Sequence, residues 1–162
     1  MPTVTLCAVT RENWREALAL AVHPEQQRFV ADSTPVAAIA LAKAYVRPGG
    51  LAWEPYAIAA DGRMVGFLML AYEPGSADNY WLYHFFLDRA AQGHGYARPA
   101  LCQVLARLAD RHPTCRRLSL TVHPDNHRAR ALYTAFGFRP TGTEHHGEPA
   151  FTLLLSCGRT VE

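Results

Sequence analysis

The spacing of apolar positions changes several times along the chain, and the changes divide it into elements. Residues 4–9 alternate well enough for a first strand. Thr10 is placed to cap a helix over 12–21, with Trp14, Leu18 and Ala21 inward. His23-Pro24 ends it, because the residue before a proline avoids the helical region. Ser33-Thr34-Pro35 supplies a cap and a first-turn proline for a second helix to about Val46, which Arg47-Pro48-Gly49-Gly50 stops. Residues 55–60 and 64–72 read as strands joined at Asp61-Gly62, a two-residue hairpin turn. A polar loop over 73–79 leads into an aromatic-rich strand, Tyr80 to Leu87. Residues 95–111 form an amphipathic helix with Leu101, Val104, Leu105 and Leu108 on one face. A buried strand over 117–122 follows, then a helix over 126–136 that Gly137 ends in a left-handed conformation. Residues 138–141 and 150–155 are closing strands. The order β-α-α-β-β-β-α-β-α-β-β predicts an α/β (α+β) fold in a single domain over 1–162. Its sheet is mixed, mostly antiparallel, of about six to seven strands, with helices on both faces.

Composition narrows the function classes. With 49% hydrophobic residues in 162, the chain can build a sizeable core and is not a disordered segment. No apolar run approaches the ~20 residues of a membrane span, and the N-terminus lacks a basic region followed by an apolar one, so a cytoplasmic protein is expected. Cys7, Cys102, Cys115 and Cys157 are widely separated and read as reduced, mostly buried thiols. The net charge of +2 is dispersed, which argues against nucleic acid as a partner. Lys43 is the sole lysine.

Two motifs carry chemistry. Gln92-Gly93-His94-Gly95-Tyr96-Ala97 lies where a strand feeds a helix. Glycines there let the backbone approach an anion, and the helix N-terminus offers orphan N–H groups and a favourable dipole. Downstream, Asn126, Ala129, Leu132, Tyr133, Gly137 and Phe138 stand in the pattern N-x-x-A-x-x-L-Y-x-x-x-G-F. The first pattern arises by chance in roughly one such chain in ten, the second in on the order of one in 10⁵. Together, over about residues 55–155, they resemble the acyl-CoA-binding motifs of the GNAT superfamily of N-acetyltransferases. The chain looks similar to bacterial polyamine or diamine acetyltransferases within it.

The resemblance implies acetyl-CoA as co-substrate and no metal. Amides of about residues 93–98 would cradle the pyrophosphate, with Gln92, Gly93, His94, Gly95, Tyr96, Ala97 and Arg98 as the loop. Pro99, lacking an N–H, cannot donate. Backbone of Phe85 and Leu87 would pair with the pantetheine arm. Asn126 would cap its helix and touch that arm, and Ala129 would keep the helix face thin against it. Tyr133 would be the general acid to the departing thiolate, since a phenol stays protonated at neutral pH and matches a thiol roughly in acidity.

The base is not evident. An alkylamine is about 10⁻³ neutral at pH 7, which adds roughly 4 kcal/mol to the barrier unless something takes the proton. Enzymes of this kind often place a carboxylate or histidine on the strand before the loop, where this chain has Trp81-Leu82-Tyr83-His84. Alternation puts Tyr83 on the acceptor side and His84 on the other, unless a bulge re-aims them. Both are candidate catalytic residues, His84 as the base, with His123, Glu25 and Glu148 as alternatives acting through water. Glu25, Asp32, Glu54, Glu144 and Glu148 supply carboxylates for a cationic amine. His145-His146 reads as a solvated hairpin, lacking a third ligand for a metal. The expected acceptor is a small-molecule amine, polyamine-like first, with an antibiotic amine or a protein amine as alternatives. A non-catalytic acyl-CoA sensor is the rival class, and a homodimer is implied by analogy only.

Overall fold

The computed structural model describes residues 1–156. One seven-stranded sheet organises them, in the order β1-β2-β3-β4-β5-β7-β6. The strands are β1 (Val4–Ala8), β2 (Ala52–Ala60), β3 (Arg63–Tyr72), β4 (Tyr80–Leu87), β5 (Arg117–Thr121), β6 (Arg139–His145) and β7 (Glu148–Leu154). Neighbours are antiparallel except β4 and β5, which are parallel and meet only at Trp81 and Ser119. Beyond that pair they splay apart.

Helices α1 (Trp14–Ala19) and α2 (Val36–Val46) cover one face, closing over Phe67, Met69 and Phe86. Helices α3 (Ala97–Arg111) and α4 (His127–Ala135) cover the other, over Leu68, Leu70, Leu82, Leu118 and Leu120. Strand alternation sorts these residues: in β3, Phe67 and Met69 point one way and Leu68 and Leu70 the other.

The first fifty residues differ most from the pattern reading. The first helix is only six residues long. Thr10 does not cap it; Thr10 Oγ1 accepts the Glu12 amide at 3.2 Å within a turn that Asn13 closes by accepting the Thr10 amide at 2.7 Å. Because the helix stops at Ala19, extended backbone carries Leu20 and Val22 into the core, while Trp14 stays exposed. Pro24 opens a 3-10 helix, Pro24–Phe29, that periodicity missed because six residues are too few to show one. The second helix starts at Val36 with Pro35 as its cap residue, and no side chain of Ser33 or Thr34 caps it.

At the other end, β6 and β7 run farther into the hairpin than expected. His146 (φ 52°) and Gly147 (φ 79°) form a tight turn like that of Asp61 (φ 51°) and Gly62 (φ 73°). The polar composition of 141–148 concealed the strands, and their register is irregular between Pro140 and Glu144. Among the described cysteines, only Cys115 is buried; Cys102 is exposed on α3 and Cys7 half-buried, correcting the expectation of mostly buried thiols. Cys157 lies outside the described residues. No described helix is long and apolar enough to cross a membrane.

Candidate active site

The split between β4 and β5 opens into a groove of about 440 Å³. Phe85, Phe86 and Leu87 line one bank, Asn126, Arg128, Ala129, Leu132 and Tyr133 the other, and Gln92, Gly93, Gly95, Tyr96 and Ala97 one end. The structure therefore brings the two sequence motifs, ~30 residues apart in the chain, to one cavity.

The loop end is built to receive anions. Gly93 (φ 81°) and Gly95 (φ 79°) adopt a conformation that a Cβ disfavours, and open space surrounds both. Among the described residues the amides of 93–98 donate to no protein acceptor; the first helical bond of this turn is Ala100 N–H to the Tyr96 carbonyl. Six unpaired donors at the N-terminus of a fifteen-residue helix suit a pyrophosphate. Two side chains lie elsewhere than on the groove. His94 folds back, with Nδ1 donating to the Ala91 and Gln92 carbonyls (3.2 and 3.0 Å), and stacks on Tyr96. Arg98 lays its guanidinium on Phe136. Only their backbone amides remain for a ligand. Gln92 is tied down too: its Nε2 donates to the Leu87 carbonyl (3.2 Å) and to Gln26 (2.8 Å).

The 3-10 helix crosses the groove as a strap, a feature the sequence did not reveal. Gln26 and Gln92 exchange amide hydrogen bonds on one bank (3.1 and 2.8 Å). On the other, Arg28 pairs with Asp125 at 2.9 Å and Phe29 packs on His123. Val22, Gln26, Phe29 and Val30 line the groove beneath. His123 also accepts the Asp125 amide through Nδ1.

Asn126 caps α4, accepting the Ala129 amide through its side chain at 3.3 Å, as expected. About two turns on, Tyr133 is buried between Phe138 (5.6 Å, edge-on) and Phe85 (6.5 Å). Its hydroxyl makes no hydrogen bond among the described residues. No buried side-chain oxygen or nitrogen lacks a partner there, so this hydroxyl opens onto the groove that Tyr133 lines. Burial raises its pKa well above a tyrosine's ordinary value, so it remains a proton donor throughout the neutral range.

A bulge in β4 decides the acceptor side. Phe67 pairs with Phe86 and Met69 with Tyr83, so Leu68 alone faces both His84 and Phe85. His84 takes a left-handed conformation (φ 50°) there. Strict alternation is broken, and His84 turns to the same side as Tyr83, toward α2. Its Nδ1 donates to the Val30 carbonyl at 2.9 Å. In the neutral ring that leaves the Nε2 lone pair, which lies 3.0 Å from Lys43 Nζ and accepts from it. Burial, helped by Lys43, holds His84 below the ordinary histidine value, against the Val30 bond and Asp32. Burial likewise lowers Lys43, with Asp32 opposing, and its ammonium rests over Trp53 (5.2 Å) and Tyr83 (5.4 Å). Sequence gave no signal for Lys43 beyond its being the sole lysine.

The groove thus joins a row of unpaired amides at one end to a buried tyrosine hydroxyl along its wall. The Acetyltransferase (GNAT) family pattern matches residues 41–138, and the chain belongs to that family. It is an N-acetyltransferase whose acyl donor is acetyl-CoA. It is 30% identical over 159 residues to the spermine/spermidine N(1)-acetyltransferase of Bacillus subtilis (strain 168), covering 94% of this chain and 99% of that one. Among solved structures it shares the fold of RimL, a ribosomal L7/L12 alpha-N-protein acetyltransferase in complex with coenzyme A (TM-score 0.73, 18% identity, 96% of each chain). It also shares the fold of spermidine N-acetyltransferase from Vibrio cholerae with CoA and spermine (TM-score 0.71, 15% identity, 93% of this chain and 95% of that one).

Proposed function

We propose that this enzyme acetylates a primary amine of a small, polyamine- or diamine-like molecule by direct attack in a ternary complex. The observation that carries the reading is the near full-length relation, at 30% identity, to a spermine/spermidine acetyltransferase. The unpaired amides of 93–98 hold the pyrophosphate of acetyl-CoA. Backbone groups of Phe85 and Leu87 align the pantetheine arm along the unpaired edge of β4, and an amide there polarises the thioester carbonyl. Asn126 and the thin face at Ala129 border the arm on the other bank. The amine nitrogen attacks the carbonyl carbon, the C–S bond breaks, and Tyr133 protonates the leaving sulfur.

Among the described residues none is arranged for a covalent intermediate: exposed Cys102 lies on α3 and buried Cys115 donates to the Arg117 carbonyl, both away from the groove lining. His84 is a poor free base as it stands, because both ring nitrogens are engaged. The test is CoA release across polyamines, diamines, aminoglycosides and lysine-bearing or N-terminal peptides. Turnover of polyamines with kcat/KM at least roughly tenfold above peptides supports the reading. The reverse order moves the acceptor to protein. Acetyl-CoA binding without turnover on any amine makes the domain a sensor.

A further inference from the structure

Strand alternation places a second wall on the acceptor face, opposite Lys43 and His84. Leu118, Leu120 and Phe151 point into the core under α3 and α4. Their neighbours Ser119, Thr121 and Thr152 therefore point the other way, to the side of Trp81 and Tyr83, and Ser119 and Thr152 meet through their hydroxyls at 3.2 Å. Glu148 belongs to this set. Its Oε2 accepts the Thr121 hydroxyl at 3.0 Å, at the point where β5 has parted from β4. Across the hairpin it pairs with His145, whose ring stands edge-on to Trp81 at 4.8 Å. His145 is exposed on the hairpin, as the pattern reading expected, and its ring also forms one edge of an aromatic row running Trp53, Tyr83, Trp81, His145. Lys43 lies at one end of that row and Glu148 at the other.

The geometry points to Glu148 as the carboxylate that receives the acceptor's ammonium and takes its proton during transfer, with Thr121 as the residue that positions it. This rests on the small-amine reading above. Three observations converge. First, β4 offers no carboxylate, and its histidine has its lone pair occupied by Lys43. Second, Glu148 is half-buried beside the split, with one oxygen held by Thr121; its other oxygen has no hydrogen bond, and the carboxylate no ion pair, among the described residues. Third, the aromatic row gives an alkylammonium rings to lie along, and Lys43 repels it from the far end. The ordering of charges orients the acceptor: its further cations extend away from Lys43, over the β5 and β7 face that no described helix covers, where Leu154 is exposed. In the step itself the bound ammonium loses one proton to a Glu148 oxygen, directly or through a water, and Glu148 passes it to solvent. The neutral amine then forms the C–N bond, the C–S bond breaks, Tyr133 protonates the leaving sulfur, and the second nitrogen proton, carried by Glu148 or water, restores the Tyr133 phenol. Two protons leave nitrogen, one ends on sulfur and one in solvent, so atoms and charge balance. The groups facing Glu148 are Thr121 from β5 and His145 from β6.

The experiment measures kcat/KM for spermidine from pH 6 to 9 in the wild type and in Glu148→Gln, Glu148→Asp, Thr121→Val and His84→Gln. Acetyl-CoA binding and Tm are followed in parallel. Expected is a loss of roughly 10²-fold or more in Glu148→Gln, steepest at low pH, partial rescue in Glu148→Asp, and roughly a fivefold to tenfold loss in Thr121→Val. Acetyl-CoA affinity stays unchanged in all four. A Glu148→Gln enzyme within about threefold of wild type, with the same pH profile, overturns the assignment. A large loss in His84→Gln alone gives the role to His84. If the wild type turns over peptides and no small amine, the substrate reading itself fails, and this inference with it.

Discussion

Replacing Tyr133 by phenylalanine removes one oxygen that no described residue holds. Because the hydroxyl makes no hydrogen bond among the described residues, its loss leaves no orphaned partner. Burial of the ring between Phe85 and Phe138 is retained. Stability at neutral pH should therefore move by under about 1 kcal/mol, a Tm change of only a few degrees for a chain of this size. Chemistry should suffer far more. Losing a positioned general acid costs about 10²- to 10⁴-fold in kcat, or about 3–5 kcal/mol of barrier. The Kd for acetyl-CoA and the KM for the amine should hold within about twofold. A second signature comes from alkaline pH. The folded phenol has a raised pKa, so its contribution to stability is fully present below about pH 10, the unfolded value, and is lost as pH rises above it. There the unfolded tyrosine ionises while the folded one cannot, and stability falls by up to about 1.4 kcal/mol per pH unit. Tyr133→Phe should make this slope shallower by its own share, while Tyr56, Tyr72, Tyr80 and Tyr83, also raised chiefly by burial, keep the rest. The assays are steady-state CoA release and denaturant unfolding between pH 8 and 11. Unchanged kcat refutes the general-acid role; an unchanged alkaline slope refutes the claim that burial keeps the phenol neutral.

Four further outcomes follow from the geometry. Gly95→Ala places a Cβ at φ 79°, costing about 1–2 kcal/mol of backbone strain, and should weaken acetyl-CoA roughly tenfold by calorimetry as the amide cradle shifts. Gly66→Ala drives a Cβ to 2.5 Å from the Phe86 carbonyl oxygen, which must displace β4; a loss of about 1–3 kcal/mol in urea unfolding is expected, together with weaker acetyl-CoA binding. Lys43→Met removes the cation beside His84 and should raise kcat/KM for polyamines several-fold over a monoamine, roughly as one screened charge predicts. His84, depressed by burial, gives stability that is present above about pH 6.5 and lost as pH falls below it, since the unfolded imidazole protonates and the folded one resists; His84→Gln should flatten thermal stability between pH 5 and 7.

Much of the architecture was legible because it rests on long periodic elements. β4 was bounded correctly, α3 and α4 to within two residues, and both hairpin strands around Asp61-Gly62 were placed, since period and turn chemistry agree there. The glycine turn before α3 and the Asn126 cap could be read from residue type alone, because glycine and asparagine are chosen for backbone reasons. The acceptor side was not legible, and the reason is tertiary. Whether His84 faced core or substrate depended on one extra residue in β4, which no pattern encodes. The strap over 24–29 is too short to show a period. Lys43 reaches His84 across 41 residues of sequence, and His145 reaches Trp81 across the sheet. Glu148 was one carboxylate among several until the register with Thr121 singled it out.

The central claim is tested most directly by mixing the enzyme with acetyl-CoA and spermidine and following CoA thiol release, with mass spectrometry of the amine. The account predicts stoichiometric CoA and N-acetylated amine, lost in Tyr133→Phe while acetyl-CoA still binds. Thiol release without an acetylated amine, or an acetylated protein in place of one, would contradict it.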